Sequence, residues 1–272
     1  MKRLMNWLII IAVLYISMSL FLCWRESSMI YYPVREMGLT PATLELNFID
    51  VNLTASDGVK INGWFIPSLA TNAPTILFFH GNAGNIADRG DKLAIFRHLH
   101  ANVFIIDYRG YGRSEGTPNE AGTYRDAQAA YDYLTKTLNL EPRTILLYGE
   151  SLGAAIAVEL ATKNSVAGVV IEEPFTSVGD VGHKMFSFLP VRWLVRNKYD
   201  NLSKISQINA PLLIFHSRQD DLFPYEFSER LFAAARDPKR LIELRGNHND
   251  AFAVSIDTYR DGLKTFLTSL TR

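Results

Sequence analysis

The chain has no excess of charge of either sign: 28 Lys and Arg stand against 28 Asp and Glu among 272 residues. A nucleic-acid-binding protein would carry a basic surplus, and none is there. Cysteine is nearly absent as well. Cys23 alone excludes intramolecular disulfides and any multi-cysteine zinc or iron–sulfur site. Catalysis therefore has to use oxygen or nitrogen nucleophiles, or a bound cofactor. Internal repeats, low-complexity tracts and the signs of a second domain are also missing. What is present is a globular composition, 48% hydrophobic and 21% charged, which excludes a disordered, collagenous or coiled-coil chain. At this length it favours one large α/β domain over two small ones.

Charge is missing locally too. Over residues 4–24 no ionisable group occurs except Tyr15 and Cys23, and that apolar run is long enough to span a bilayer. Trp7 and Trp24 lie roughly 26 Å apart along a helix, near the separation of two interfacial aromatic belts. Lys2, Arg3 and the amino terminus precede the run, while Arg25 follows it and makes the bias modest. The pattern predicts a single-pass anchor over residues 1–24 and a connector over 25–43. The rest of the chain would then lie outside the cytosol, in a periplasm or lumen. The competing reading is a cleaved signal peptide, with residues 7–16 as its apolar core and Ser17-Met18-Ser19 as a poor cleavage site, giving a secreted protein. Cleavage there would leave an apolar new terminus. A lipoprotein reading through Cys23 meets the bulky Leu22 where a small residue is needed.

Residues 44–54 and 59–66 are β-branched, partly alternating runs around Ser56-Asp57-Gly58, a hairpin signature. Beyond them, short apolar runs alternate with amphipathic helices: 75–79 then 88–100, 103–106 then 118–138, 144–148 then 152–163, and 168–171. Strands without alternation suit a parallel sheet buried on both faces. The helix near Pro118 is expected to open on a Thr117–Glu120 capping box with Pro118 in the first position. Two more strands, 212–215 and 241–244, precede a closing helix with Ile256, Tyr259, Leu263, Phe266 and Leu270 on one face. The whole of 44–272 reads as one domain. Residues 175–209 break its rhythm and read as an irregular helical cap insertion. Its basic residues His183, Lys184, Arg192, Arg196, Lys198 and Lys204 form a solvated face by default, or one apposed to anionic lipid headgroups.

Gly149-Glu150-Ser151-Leu152-Gly153 sits between an apolar strand and a small-residue helix. A turn that tight exposes the serine hydroxyl above the sheet, and the glycines remove side chains that would collide. A serine needs a base, and the base needs a third group to orient it. His216-Ser-Arg-Gln-Asp220-Asp221 follows one strand and Gly246-Asn-His248-Asn-Asp250 the last. This gives Ser, Asp, His in chain order, all at strand carboxyl ends, the edge where function concentrates. His98 and His100 belong to a surface helix and His183 to the insertion. His80 and His216 end strands and are expected to hold loops, which leaves His248 as the base. Asp220 is the expected acid, with Asp221, Asp250 and Asp200 as alternatives; Asp221 would otherwise cap the helix starting near Pro224. The Leu152 N–H and one from the loop 80–85, that of Asn82 ahead of Ala83, are the expected oxyanion donors. Neither G-x-x-x-x-G-K-S/T nor G-x-G-x-x-G is present to make that loop a phosphate cradle.

Together, His80-Gly-Asn-Ala-Gly-Asn85, the run from Asp107 through Tyr-Arg-Gly-Tyr-Gly-Arg-Ser-Glu-Gly-Thr to Pro118, Gly149-Glu-Ser-Leu-Gly153 and Gly246-Asn-His-Asn-Asp250 resemble the BEM46-like branch of the α/β-hydrolase superfamily. The likeness covers about residues 30–270. It implies an α/β-hydrolase fold with an eight-stranded, mostly parallel sheet and a small helical cap behind an N-terminal membrane helix. It also implies a Ser151, Asp220, His248 triad and neither cofactor nor metal. Ser217 departs from the branch, which usually has glycine there, a change that would stiffen the acid loop. The implied activity is hydrolysis of a small-molecule acyl ester or lipid through an acyl-enzyme. A thioesterase acting on lipidated proteins and a non-catalytic binding module are the alternatives.

Overall fold

Strands of uninterrupted apolar residues must be covered on both faces, and in the computed structural model, which describes residues 1–270, they are. The sheet contains β1 (Ile49–Thr54), β2 (Lys60–Ile66), β3 (Thr75–Phe79), β4 (Asn102–Ile106), β5 (Ile145–Glu150), β6 (Gly168–Glu172), β7 (Leu212–Ser217) and β8 (Lys239–Leu244). The spatial order is β8-β7-β6-β5-β3-β4-β2-β1. Only β2 runs against its neighbours, pairing antiparallel with both β1 and β4. This is the α/β-hydrolase fold, with a mostly parallel sheet.

Alternate side chains of one strand enter different cores, as the two-residue period requires. Leu77, Phe79, Leu147 and Ile171 face a layer containing α3 (Glu120–Asp132), α4 (Leu152–Lys163) and α8 (Tyr225–Ala234). Ile76, Phe78, Tyr148 and Phe215 face α2 (Gly90–His98) and α9 (Ile256–Leu270). Glycine at the sheet–helix contact is obligatory: a Cβ on Gly153 would lie 2.0 Å from the Phe79 carbonyl oxygen.

One local expectation fails. Asn119, not Thr117, caps α3, accepting from the Gly122 N–H at 2.9 Å, and Pro118 lies outside the helix. The Glu120 carboxylate cannot reach back because it accepts from the N–H groups of Lys198 and Tyr199 at 2.6 and 2.9 Å. The α-helix also ends early, passing into a π-helical turn at Tyr133–Thr137.

α1 (Lys2–Ile30) is long and apolar enough to cross a membrane, and its hydrophobic window is bare of protein contacts that would bury it. After it, Tyr32–Pro33 pairs in parallel with Ala83–Gly84, so the chain following the helix runs straight to the loop after β3. The insertion between β6 and β7 carries the short helices α5 (Val178–Met185), α6 (Val191–Leu194) and α7 (Asn201–Lys204). Half of its basic residues are ion-paired: Arg192 with Asp180, Arg196 with Glu26 and Lys204 with Glu159.

Candidate active site

β5 passes to α4 through a single residue, Ser151, held at φ 51° and ψ −113°. That conformation is strained for a residue with a side chain. It is over-determined by its surroundings, because the Ser151 N–H donates to the Glu172 carbonyl at 2.8 Å and a Cβ on Gly149 would lie 2.2 Å from the Gly153 carbonyl oxygen. The turn lifts Oγ off the carboxyl edge of the sheet.

β7 and β8 deliver the two other groups to the same edge. His248 Nε2 is 2.9 Å from Ser151 Oγ, and His248 Nδ1 is 2.7 Å from Asp220 Oδ2. With Nδ1–H donating to the carboxylate, Nε2 is left to accept the serine proton. The other Asp220 oxygen accepts from the N–H groups of Leu222 and Phe223, both at 2.7 Å. Asp221 does not cap α8. Its Oδ1 accepts from the His248 N–H at 3.1 Å, because the loop after β7 turns it toward β8, and α8 follows Pro224 without a side-chain cap. Asp250 Oδ1 accepts from the Asn247 N–H, and Asp200 caps α7, so neither approaches the imidazole. Ser217 locks the two loops together: its hydroxyl donates to the Gly246 carbonyl at 2.6 Å and accepts from the Gln219 N–H at 3.0 Å.

Of the remaining histidines, His80 and His216 hold loops. His80 Nδ1 lies 2.7 Å from the Gly81 carbonyl, and its ring stacks near Tyr108. His216 Nδ1 accepts from the Ser228 hydroxyl at 2.6 Å, leaving Nε2–H for the Phe223 carbonyl, Glu173 and Asp220, all between 3.1 and 3.2 Å.

The loop 80–85 faces Ser151 from β3. Asn82 gives its side-chain N–H to the Ile30 carbonyl at 2.8 Å, and its own carbonyl accepts from the Tyr32 N–H and the Tyr111 hydroxyl. Those bonds fix the peptide between Asn82 and Ala83 and hold the Asn82 residue in place. Leu152 is the first residue of α4, so its N–H has no intrahelical acceptor. Of the two expected oxyanion donors, Asn82 borders a cavity of about 560 Å³ whose walls include Ser151, His248, Tyr32, Glu150 and Phe252, while Leu152 lies behind Ser151 and is not among its walls.

Sequence reasoning missed the charged groups beneath this cavity. Glu150 accepts from the Gly81 N–H at 3.0 Å and pairs with Arg89 at 3.1 Å, tying the loop 80–85 to the turn at Ser151. Burial alone would raise its pKa, but Arg89 and Lys92 outweigh that and hold it below the ordinary value. Buried Lys92 bonds to Glu172, Tyr148 and Tyr259. Glu173, at φ 46° and 2% exposed, accepts from the Ser217 N–H and lies against Asp220. Burial, then the neighbouring carboxylate, pushes Glu173 up to about 10. Asp220 moves the other way, because hydrogen bonds from His216 and His248 overcome its own desolvation. Glu173 is therefore neutral and Asp220 ionised near pH 7. A signal existed: two glutamates directly after the apolar strand 168–171, at the functional edge. Ligand-type atoms of Glu173, Asp220 and His248 lie within 4.8 Å of one another, but both His248 nitrogens are committed to Ser151 and Asp220, which leaves none for a cation.

A family model described as the alpha/beta hydrolase fold matches residues 74–191. The "Uncharacterized protein Rv2307c" of Mycobacterium tuberculosis is 34% identical over 261 residues, which is 95% of this chain and 93% of that one. The alpha/beta hydrolase domain-containing protein WAV2 of Arabidopsis thaliana is 34% identical over 260 residues, covering 86% of this chain and 84% of its own. Among solved structures, the Pyrococcus furiosus esterase Pf2001 aligns with a TM-score of 0.74 at 20% identity, over 88% of this chain and 98% of that one. An alpha-beta hydrolase from Vibrio vulnificus aligns with a TM-score of 0.72 at 18% identity, over 85% and 88%. At such identities the structural likeness speaks to the fold alone.

Proposed function

The chain belongs to the α/β-hydrolase family, and we propose that it is a membrane-anchored serine hydrolase of carboxylic esters, of the BEM46-like kind, with Ser151, His248 and Asp220 as nucleophile, base and acid. The observation that carries this reading is the unbroken hydrogen-bond chain from Ser151 Oγ through both His248 nitrogens to Asp220, at 2.9 and 2.7 Å. Lys2 and Arg3 before the apolar helix support an orientation with the hydrolase domain outside the cytosol.

In the acylation step Ser151 Oγ bonds to the substrate carbonyl carbon while its proton passes to His248 Nε2 and the carbonyl π pair moves onto oxygen. The N–H groups of Asn82 and Leu152 bind that oxyanion where it develops. When the intermediate collapses the carbon–oxygen ester bond breaks, and the imidazolium returns the proton to the leaving alkoxide. Water then repeats the sequence against the acyl-enzyme, releasing acid and free Ser151. Asp220 holds the tautomer throughout, and neutral Glu173 beside it keeps the negative charge on the carboxylate that faces the imidazole.

A fluorophosphonate probe and p-nitrophenyl esters test the reading. Ser151→Ala should abolish labelling and lower kcat by about 10⁶-fold. Asp220→Asn should cost about 10⁴-fold through the wrong tautomer, whereas Asp221→Asn should stay within about tenfold, since only a backbone bond to His248 changes. Full activity in Ser151→Ala, with labelling retained, overturns the mechanism.

A further inference from the structure

Tyr32 borders two cavities. One is the polar catalytic cavity; the other, of about 150 Å³, lies between the end of α1 and the cap helices α5 and α6. The walls of the second are apolar, with Leu22, Met29 and Ile30 from α1 facing Val181 and Leu194 from the cap, and Cys23 among them. Its one charged neighbour, Glu26, is consumed by Arg196 and Asn197.

The cap residues beside this cavity are turned outward. Met185, Phe188 and Trp193 are 64%, 67% and 90% exposed, an apolar patch of the kind that marks an interaction surface. Their depth is set by α1. The Tyr15 hydroxyl donates to the Phe188 carbonyl at 3.1 Å, and the Cys23 thiol approaches the Leu194 carbonyl at 3.8 Å. Tyr15 lies roughly 14 Å of helix rise before Trp24. In a helix crossing a hydrocarbon layer of about 30 Å, the Phe188 turn therefore sits within the leaflet on the side of the hydrolase domain. Ion pairing of Arg192 with Asp180 and of Arg196 with Glu26 lowers the cost of bringing these two cap arginines toward the leaflet.

The geometry points to an acyl-chain site: the cavity between α1 and the cap takes the hydrocarbon tail of the substrate directly from the leaflet, while the polar cavity around Ser151 takes the carbonyl and leaving group. This rests on the serine-hydrolase reading. The anchor is then one wall of the binding site as well as a tether. The cavity reads the tail only, and the same tail arrives on a glycerolipid ester or on an S-acylated protein.

The sole thiol supplies the test. Full-length protein in phosphatidylcholine vesicles is reacted with an ethyl or a dodecyl fluorophosphonate and then with a maleimide. Both reagents should label Ser151, and only the dodecyl one should slow Cys23 alkylation, by about tenfold or more, by covering it. Equal Cys23 rates after both overturn the acyl-chain site and leave the hydrolase reading standing. Absence of Ser151 labelling by either overturns the hydrolase reading and the acyl site with it. Val181→Trp, with Leu194→Trp from the opposite wall should the first fail to fold, narrows the cavity away from Ser151. Either should lower kcat/KM for p-nitrophenyl dodecanoate by about 10- to 100-fold, the scale of lost methylene contacts in a pocket, with the acetate ester unchanged. An equal loss on both esters overturns the site. Repeating the comparison with a monoacylglycerol and an S-acyl-cysteine peptide in the vesicles identifies the carrier; the one that the unmutated protein hydrolyses must show the drop.

Discussion

The two ends of α1 obey different rules. Its first two-thirds carry exposed leucine, isoleucine and tryptophan side chains that no other part of the described structure covers. Its last turns are part of the hydrolase. Glu26 is 6% exposed and accepts from the N–H groups of Arg196 and Asn197 at 3.0 and 2.7 Å, from Arg196 Nε at 3.2 Å and from Asn197 Nδ2 at 3.1 Å. Burying a carboxylate is costly unless its lone pairs are satisfied, and here four donors do so. Beyond it, the Ile30 carbonyl holds Asn82, and the Tyr31 hydroxyl lies between Asn197 and Tyr199. A hydropathy run thus marks how far a helix stays apolar, and says nothing of where its structural duty begins.

Truncation breaks the comparison most sharply. Removing residues 1–20 leaves Glu26, Ile30 and the Tyr32–Pro33 pairing in place, and detergent-purified protein should hydrolyse p-nitrophenyl acetate at nearly the full rate. Removing residues 1–33 takes away the acceptor that orients Asn82. The expected loss in kcat is about 10²- to 10³-fold, the size of one oxyanion donor. Equal activity of the two truncations would mean that the helix end does not position the loop. Next in size is Glu26→Ala, which leaves two backbone N–H groups without an acceptor at the seam between α1 and the cap. A loss of about 2–4 kcal/mol in unfolding free energy is expected, measured by denaturant titration, with Glu26→Gln recovering part of it. A tryptophan-sized or polar replacement at bare Ile10 should leave the same titration unchanged.

Much of the fold was legible because its signals are local. Apolar strands, glycine pairs and the helix at 152–163 depend on neighbours within a few residues, and Ser151, Asp220 and His248 each follow a strand at the functional edge. Glu26, Lys92 and Glu173 were illegible for the opposite reason: their partners lie 171, 80 and 44 residues away. A charged residue in isolation reads as surface, and only long-range pairing makes it an interior group. The Thr117 cap failed similarly, because Glu120 was already engaged by the distant segment at Lys198 and Tyr199.

Glu173 sharpens the contrast with Glu26, since it is a buried carboxyl set against another carboxyl instead of a guanidinium. Its pKa rises from the ordinary 4.5 to about 10, through burial and then through Asp220. A raised folded value means that its contribution to stability is fully present below pH 4.5 and is lost as pH rises toward 10, because the unfolded chain ionises first. Asp220 has the opposite sign: its depressed value contributes stability above the ordinary carboxylate range and loses it in acid. Glu173→Gln keeps a neutral donor toward Asp220 and an acceptor for the Ser217 N–H while removing the titration. Its melting temperature relative to the unmutated protein should therefore climb steadily between pH 5 and pH 9, by several degrees or more, each kcal/mol being about 2–4 °C in a domain of this size. Esterase activity at pH 7 should remain close to that of the unmutated protein. A difference in melting temperature that stays flat across that range would show that Glu173 does not retain its proton in the fold.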